Sequence, residues 1–107
     1  GQWFAYQHEN IKPDGLILGK ALGGGIIPVS AFLARRDVMD CFTPGSHGST
    51  FGGNPLAARV ALETLNLLGT SGAIENSRQL GEVLLAGLKA INHPGIKRVR
   101  GLGLWVG

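Results

Sequence analysis

The chain has 107 residues, 18 of them glycine, with 10 Lys and Arg against 7 Asp and Glu; this length suits one domain at most, with a modest core. The net charge of +3 is not interleaved with aromatics along a face, which speaks against a nucleic-acid binder, and glycine without a three-residue period excludes collagen. A single cysteine, Cys41, excludes an internal disulfide and fits a reducing compartment, and no apolar run approaches the roughly 20 residues that span a bilayer.

Met39 is the only methionine and "GLGLWVG" stops within an apolar segment, so the sequence reads as an internal fragment of a longer chain. Residues 1–14 are mixed and polar and end in Pro13-Asp14, a structure-breaking pair. "GLIL" (15–18) is a short apolar run bounded by turn signals, the pattern of a strand covered on both faces in a parallel sheet. "IIPVSAFLA" (26–34) reads as a second strand, with Pro28 marking an edge or entry position. "RRDVMDCF" (35–42) suits a short helix. Asn54-Pro55 pairs an N-cap with a first-turn proline, so a helix is expected over 55–68, with Gly69 as its stop. A second helix is expected over 73–91, where Leu80, Leu84, Leu88 and Ile91 form a packing stripe. "NHPG" (92–95) ends it, and alternation at Leu102, Leu104 and Val106 begins another strand. Strands, two helices and a strand give α/β architecture, with a domain change near 92–95.

Two stretches can carry chemistry. In "LGKALGGG" (18–25), Lys20 follows the apolar run and precedes Gly23, Gly24 and Gly25. A lysine in a water-poor place has its charged form disfavoured, so its neutral amine can form a Schiff base with an aldehyde such as that of pyridoxal phosphate. The glycines would let a ring or a phosphate approach the backbone. The plainer reading is a solvated turn lysine. In "GSHGSTFGGNP" (45–55), clustered glycines can turn successive N–H groups toward an anion, and Ser49 and Thr50 can add hydroxyl donors. The alternative there is a flexible surface loop. His47 is more simply a local hydrogen-bonding group than an acid or base, and no metal-ligand spacing exists. "GLGLWVG" departs from the dinucleotide fingerprint, because its third glycine is one residue late.

"PDGLILGKALGGGIIPVSA" (13–31) followed by "PGSHGSTFGGNPLA" (44–57) resembles the class III, pyridoxal-phosphate-dependent aminotransferases, the ornithine and then the acetylornithine members above all. The likeness runs from "FAYQHEN" to "VRGLGLWVG". It implies a piece of the type I PLP-dependent transferase fold, with 1–92 ending the large cofactor domain through its linking helices and 93–107 starting the small C-terminal domain. It implies Lys20 as the lysine that holds pyridoxal 5'-phosphate and moves a proton during transamination. Ser49 and Thr50 match the phosphate-contacting pair, delivered in this family to the neighbouring subunit of a homodimer. The substrates implied are an amino acid, ornithine first, and a 2-oxo acid; the compartment is the cytoplasm, with the mitochondrial matrix as the alternative. Gly15 departs from the bulkier strand residue usual in relatives, and Arg35-Arg36 stands where an acidic residue is common.

Overall fold

The computed structural model describes all of residues 1–107. They form two compact units, Ile11–Leu67 and Gly1–Asn10 with Leu68–Gly107.

In the unit Ile11–Leu67, strand β1 (Gly15–Leu18) pairs with β2 (Ala31–Ala34). The pairing is antiparallel, with Gly15 opposite Ala34 and Leu18 opposite Ala31. The expected parallel sheet is therefore corrected within this chain. A parallel return needs a crossover, usually a helix. Residues 19–30 contain only the 3-10 turn Lys20–Gly23 followed by turn and coil, with no crossover helix, and bring the chain back alongside β1 in the opposite direction. The second strand is also shorter than expected. Ile26 and Ile27 both donate their N–H to the carbonyl oxygen of Gly23, which keeps them in the turn. Neither face of the ribbon is fully covered: Ile17, Phe32 and Leu33 are exposed, while Leu16 and Leu18 are half-buried.

Helix α1 is one turn, Arg36–Met39, and α2 runs Pro55–Thr70. Asn54 caps α2 as its sequence predicts. Its side-chain oxygen accepts the N–H of Leu56 at 2.9 Å and of Ala57 at 3.2 Å, satisfying two donors that lack a partner in the first turn. The buried apolar side chains of the chain are Leu22, in the turn after β1, and Ala57, in the first turn of α2.

In the other unit, a 3-10 turn (Ala5–Glu9) leads off, and α3 spans Ala73–Lys89. Gly69 does not stop α2, which continues to Thr70; a Cβ on Gly69 would lie 3.2 Å from the Trp3 ring, so this glycine makes room for the indole. The leucine stripe on α3 is not a core within this chain, since Leu80, Leu84 and Ile91 are exposed. What α3 does bury is Gly81, whose missing side chain lets the helix backbone rest against Gly103. Gly103 opens the two-residue turn of a hairpin between β3 (Gly101–Leu102) and β4 (Trp105–Val106), with φ +59. Positive φ at that position suits the tight turns whose twist matches a hairpin. Reciprocal 2.8 Å bonds between Arg100 and Gly107 extend the ladder by one pair.

Candidate functional site

Lys20 stands two residues beyond the end of β1. Gly19 is extended, and at Lys20 the backbone swings to φ 50, the left-handed region. Asn10 is the other non-glycine residue found there. A left-handed conformation costs a residue with a Cβ about 1–2 kcal/mol, and such strain collects where a side chain must be aimed. The chain then closes a 3-10 turn, Lys20–Gly23, through Leu22 N–H to Gly19 O at 3.1 Å and Gly24 N–H to Ala21 O at 3.0 Å. The turn is sunk at Leu22 and Gly23 and open at Lys20.

The expectation of a dry amine does not hold in this chain: Lys20 is exposed. The physical reason is local. β1 and β2 form a ribbon without a covering layer, so nothing here closes over the strand end. No hydrogen bond or ion pair engages the Lys20 ammonium.

The loop 43–53 is exposed throughout. Ser46 ties its first turn, accepting the N–H of Thr43 at 3.0 Å and donating to the Thr43 carbonyl oxygen at 2.7 Å. The Gly52 N–H reaches Ser49 O at 3.1 Å and the Asn54 N–H reaches Phe51 O at 3.2 Å. A Cβ on Gly45, Gly48 or Gly53 would meet nothing within 4 Å. The hydroxyls of Ser49 and Thr50 make no hydrogen bond. These side chains are thus unspent donors on a loop anchored by Asn54 at the start of α2. No hydrogen bond joins them to Lys20.

His47 sits edge-on to Phe42, with ring centroids 5.5 Å apart, and His93 accepts the Gly95 N–H at 3.0 Å. Both are local contacts. No group of three or more His, Cys, Asp or Glu side chains could hold a metal ion. The two groups suit different parts of one kind of ligand, a primary amine for an aldehyde and paired hydroxyls on a glycine loop for a phosphate, and the structure does not bring them together within this chain.

The family model for aminotransferase class III matches residues 1–107, the full length. The chain belongs to the class III aminotransferases. Ornithine aminotransferase 1 of Staphylococcus aureus is 53% identical over 107 residues, which are all of this chain and 27% of that protein. The chain thus spans about a quarter of the curated relatives it matches. Among solved structures, the ornithine aminotransferase of Toxoplasma gondii superposes with a TM-score of 0.95 at 42% identity, over 98% of this chain and 26% of that one. The acetylornithine aminotransferase of Elizabethkingia anophelis gives 0.92 at 44% identity, over 98% and 27%. Mixed helix and strand content and these superpositions place the chain in the α/β class, as a segment of the class III aminotransferase fold.

Two features of this class III segment had no flag in the sequence. One is a cluster in which Arg35 reaches both Asp14 and Asp37. The other is the seating of Gly24 against α2. The departure at Gly15 is accounted for. A Cβ there would lie 3.1 Å from the Phe32 ring, which lies diagonally across the ribbon and covers the glycine. An aromatic beside a strand glycine restores packing that the missing side chain gives up.

Proposed function

We propose that the protein carrying this chain is a pyridoxal-phosphate-dependent transaminase. It moves the terminal amino group of ornithine to a 2-oxo acid such as 2-oxoglutarate, giving glutamate semialdehyde and glutamate. The observation that carries this is 53% identity to an ornithine aminotransferase in a match that extends over all 107 residues of the chain. A second structure of the Toxoplasma enzyme holds pyridoxal phosphate at partial occupancy in its active site.

In this reading the cofactor supplies the electron sink for breaking and making bonds at the substrate carbon. Lys20 Nζ would hold the cofactor at its aldehyde and, as a neutral amine, would be the group that moves a proton at the substrate carbon. The left-handed backbone at Lys20 would aim that amine, and parts of the site outside these 107 residues would have to cover it, since it is exposed here. Ser49 and Thr50 would donate their hydroxyl hydrogens to the cofactor's phosphate oxygens. Their open loop supports delivery to the neighbouring subunit of a homodimer, so that Lys20 and Thr50 of one chain serve different sites. Residues 1–92 complete the cofactor domain and 93–107 begin the small domain.

Borohydride reduction of the full-length holoenzyme should fix the cofactor on Lys20; label on Lys12, Lys89 or Lys97 would refute the assignment. A second reading, an acetylornithine aminotransferase, is favoured by the Elizabethkingia neighbour. Turnover of ornithine against N-acetylornithine decides between them, and a strong preference for the acetylated amine selects the second. The 107 residues alone, given ornithine and 2-oxoglutarate, should form no glutamate.

A further inference from the structure

Helix α2 meets the Lys20 turn at a point that leaves no room for a side chain. Gly24 closes the turn with φ +58, and a Cβ built on it lies 2.8 Å from Thr64 Oγ1 and 3.8 Å from Val60 Cγ1. Gly25 shares the left-handed backbone, at φ +75, yet a Cβ there meets nothing within 4 Å. Of these neighbouring glycines, only Gly24 is required by space as well as by backbone.

Both sides of the contact are held. Thr64 is half-buried, and its hydroxyl donates to the Val60 carbonyl oxygen at 2.9 Å, one turn back along α2. A β-branched residue on a helix has few χ1 alternatives, so this bond fixes where Oγ1 stands. On the other side, the Gly24 N–H donates to Ala21 O at 3.0 Å, and Ala21 is the residue after Lys20. A displacement at Gly24 therefore passes to Lys20 through one hydrogen-bonded ring. The same helix starts at Asn54, directly after the Ser49-Thr50 loop. One rigid element thus carries that loop at its N-terminus and seats the lysine turn on its flank.

We propose that Gly24 and Thr64 are positioning residues for Lys20: their contact sets the seat of the lysine turn on α2. Neither touches Lys20, and both act through the 21–24 turn. The role rests on the reading of Lys20 given above. An alanine Cβ at Gly24 must back away from Thr64, and misplacement on the order of 1 Å at a reacting group costs about 100-fold in rate.

The test is a cycle in the full-length holoenzyme: G24A, T64A and G24A/T64A, with G25A as the variant that has the backbone cost without the contact. Three readouts are taken: the pH midpoint of the visible band of the lysine-bound cofactor, the split between kcat and KM, and the melting temperature of the apoenzyme. G24A should move the midpoint by about half a unit or more and lower kcat about 10- to 100-fold with little change in KM. G25A should show the smaller effect on each readout. G24A/T64A should regain most of what G24A loses, in the apoenzyme as well as the holoenzyme. If G24A yields no folded protein, the double variant should fold; its failure to do so while G25A folds would overturn the proposal. So would equal effects of G24A and G25A. Borohydride label on another lysine in the wild type would remove the functional reading and the positioning role with it. Label on Lys20 without coupling between positions 24 and 64 would overturn the positioning role alone.

Discussion

Arg35 and Asp14, 21 positions apart, are joined twice. The Arg35 Nη1 lies 2.5 Å from Asp14 Oδ1, and the Arg35 N–H donates to the Asp14 carbonyl oxygen at 3.2 Å. The pair sits immediately beyond the Gly15–Ala34 end of the ribbon, opposite the end that leads to Lys20. Asp37 completes the arrangement with a two-pronged grip on the same guanidinium, at 3.0 and 2.7 Å.

The first prediction concerns this clamp. Single exposed ion pairs contribute little, but a planar guanidinium shared by two carboxylates has the geometry in which they do. R35A in the full-length enzyme should lower the melting temperature measurably, and R35K should fail to restore it, because an ammonium lacks the fork. High salt should narrow the gap between wild type and R35A. Full recovery by lysine would show that charge alone matters. The grip also holds the Asp37 carboxyl below its usual range, chiefly through its hydrogen bonds from Arg35. A group depressed by folding stabilises above its unfolded value and loses that contribution as pH falls. The R35A gap should therefore shrink on acidification.

Gly15 and Phe32 form the second. Valine at position 15 alone should collide with the ring, and valine at 32 alone should leave the glycine uncovered. Together they should lose less than the sum of the single losses, with a coupling of about 0.5 kcal/mol or more in thermal or denaturant melts. Strict additivity would remove the proposed compensation across the ribbon.

A sign reversal on α3 provides the third. Alanine in place of glycine favours an isolated helix by about 1 kcal/mol. In a peptide spanning 71–91, both G81A and G87A should raise helicity. In the whole chain, a Cβ on Gly81 runs into the Gly103 backbone while one on Gly87 meets nothing within 4 Å. There G81A should destabilise by about 1–3 kcal/mol, and G87A should not. A stabilising G81A would mean that α3 and the hairpin do not touch.

The fourth is a pH dependence. The Arg78 guanidinium, and after it the Gln79 amide, pull the Glu75 carboxyl from 4.5 down to about 2. Its folded value lies below its unfolded one. The contribution is thus complete above about pH 4.5 and lost as pH falls toward 2. The helicity difference between the 71–91 peptide and its E75Q variant, read by circular dichroism, should be present at neutral pH and fade across that window. A difference that persists unchanged to pH 2 would sink the assignment.

Much of this was legible in the sequence, for reasons that differ by element. Asn54-Pro55 is a local signal and locates the start of α2 to the residue. The 73–91 periodicity gives α3 almost in full, since helical spacing depends only on neighbours along the chain. The "GLIL" run misleads about strand direction: an apolar run speaks to burial, while pairing direction is set by the path of the residues that follow. Gly69 looks like a terminator but serves Trp3, and the Gly24–Thr64 seat joins positions that no periodicity links. The setting of Lys20 marks it as a candidate only, and its left-handed backbone and its exposure in this chain had no signal in the sequence.

The β1–β2 ribbon also bears on how such a chain is made. A ribosome releases residues 15–34 before α2, and the two strands have between them only the twelve residues 19–30. Standing alone, such a ribbon keeps two unpaired edges and exposes Ile17, Phe32 and Leu33, a surface suited to pairing with further strands.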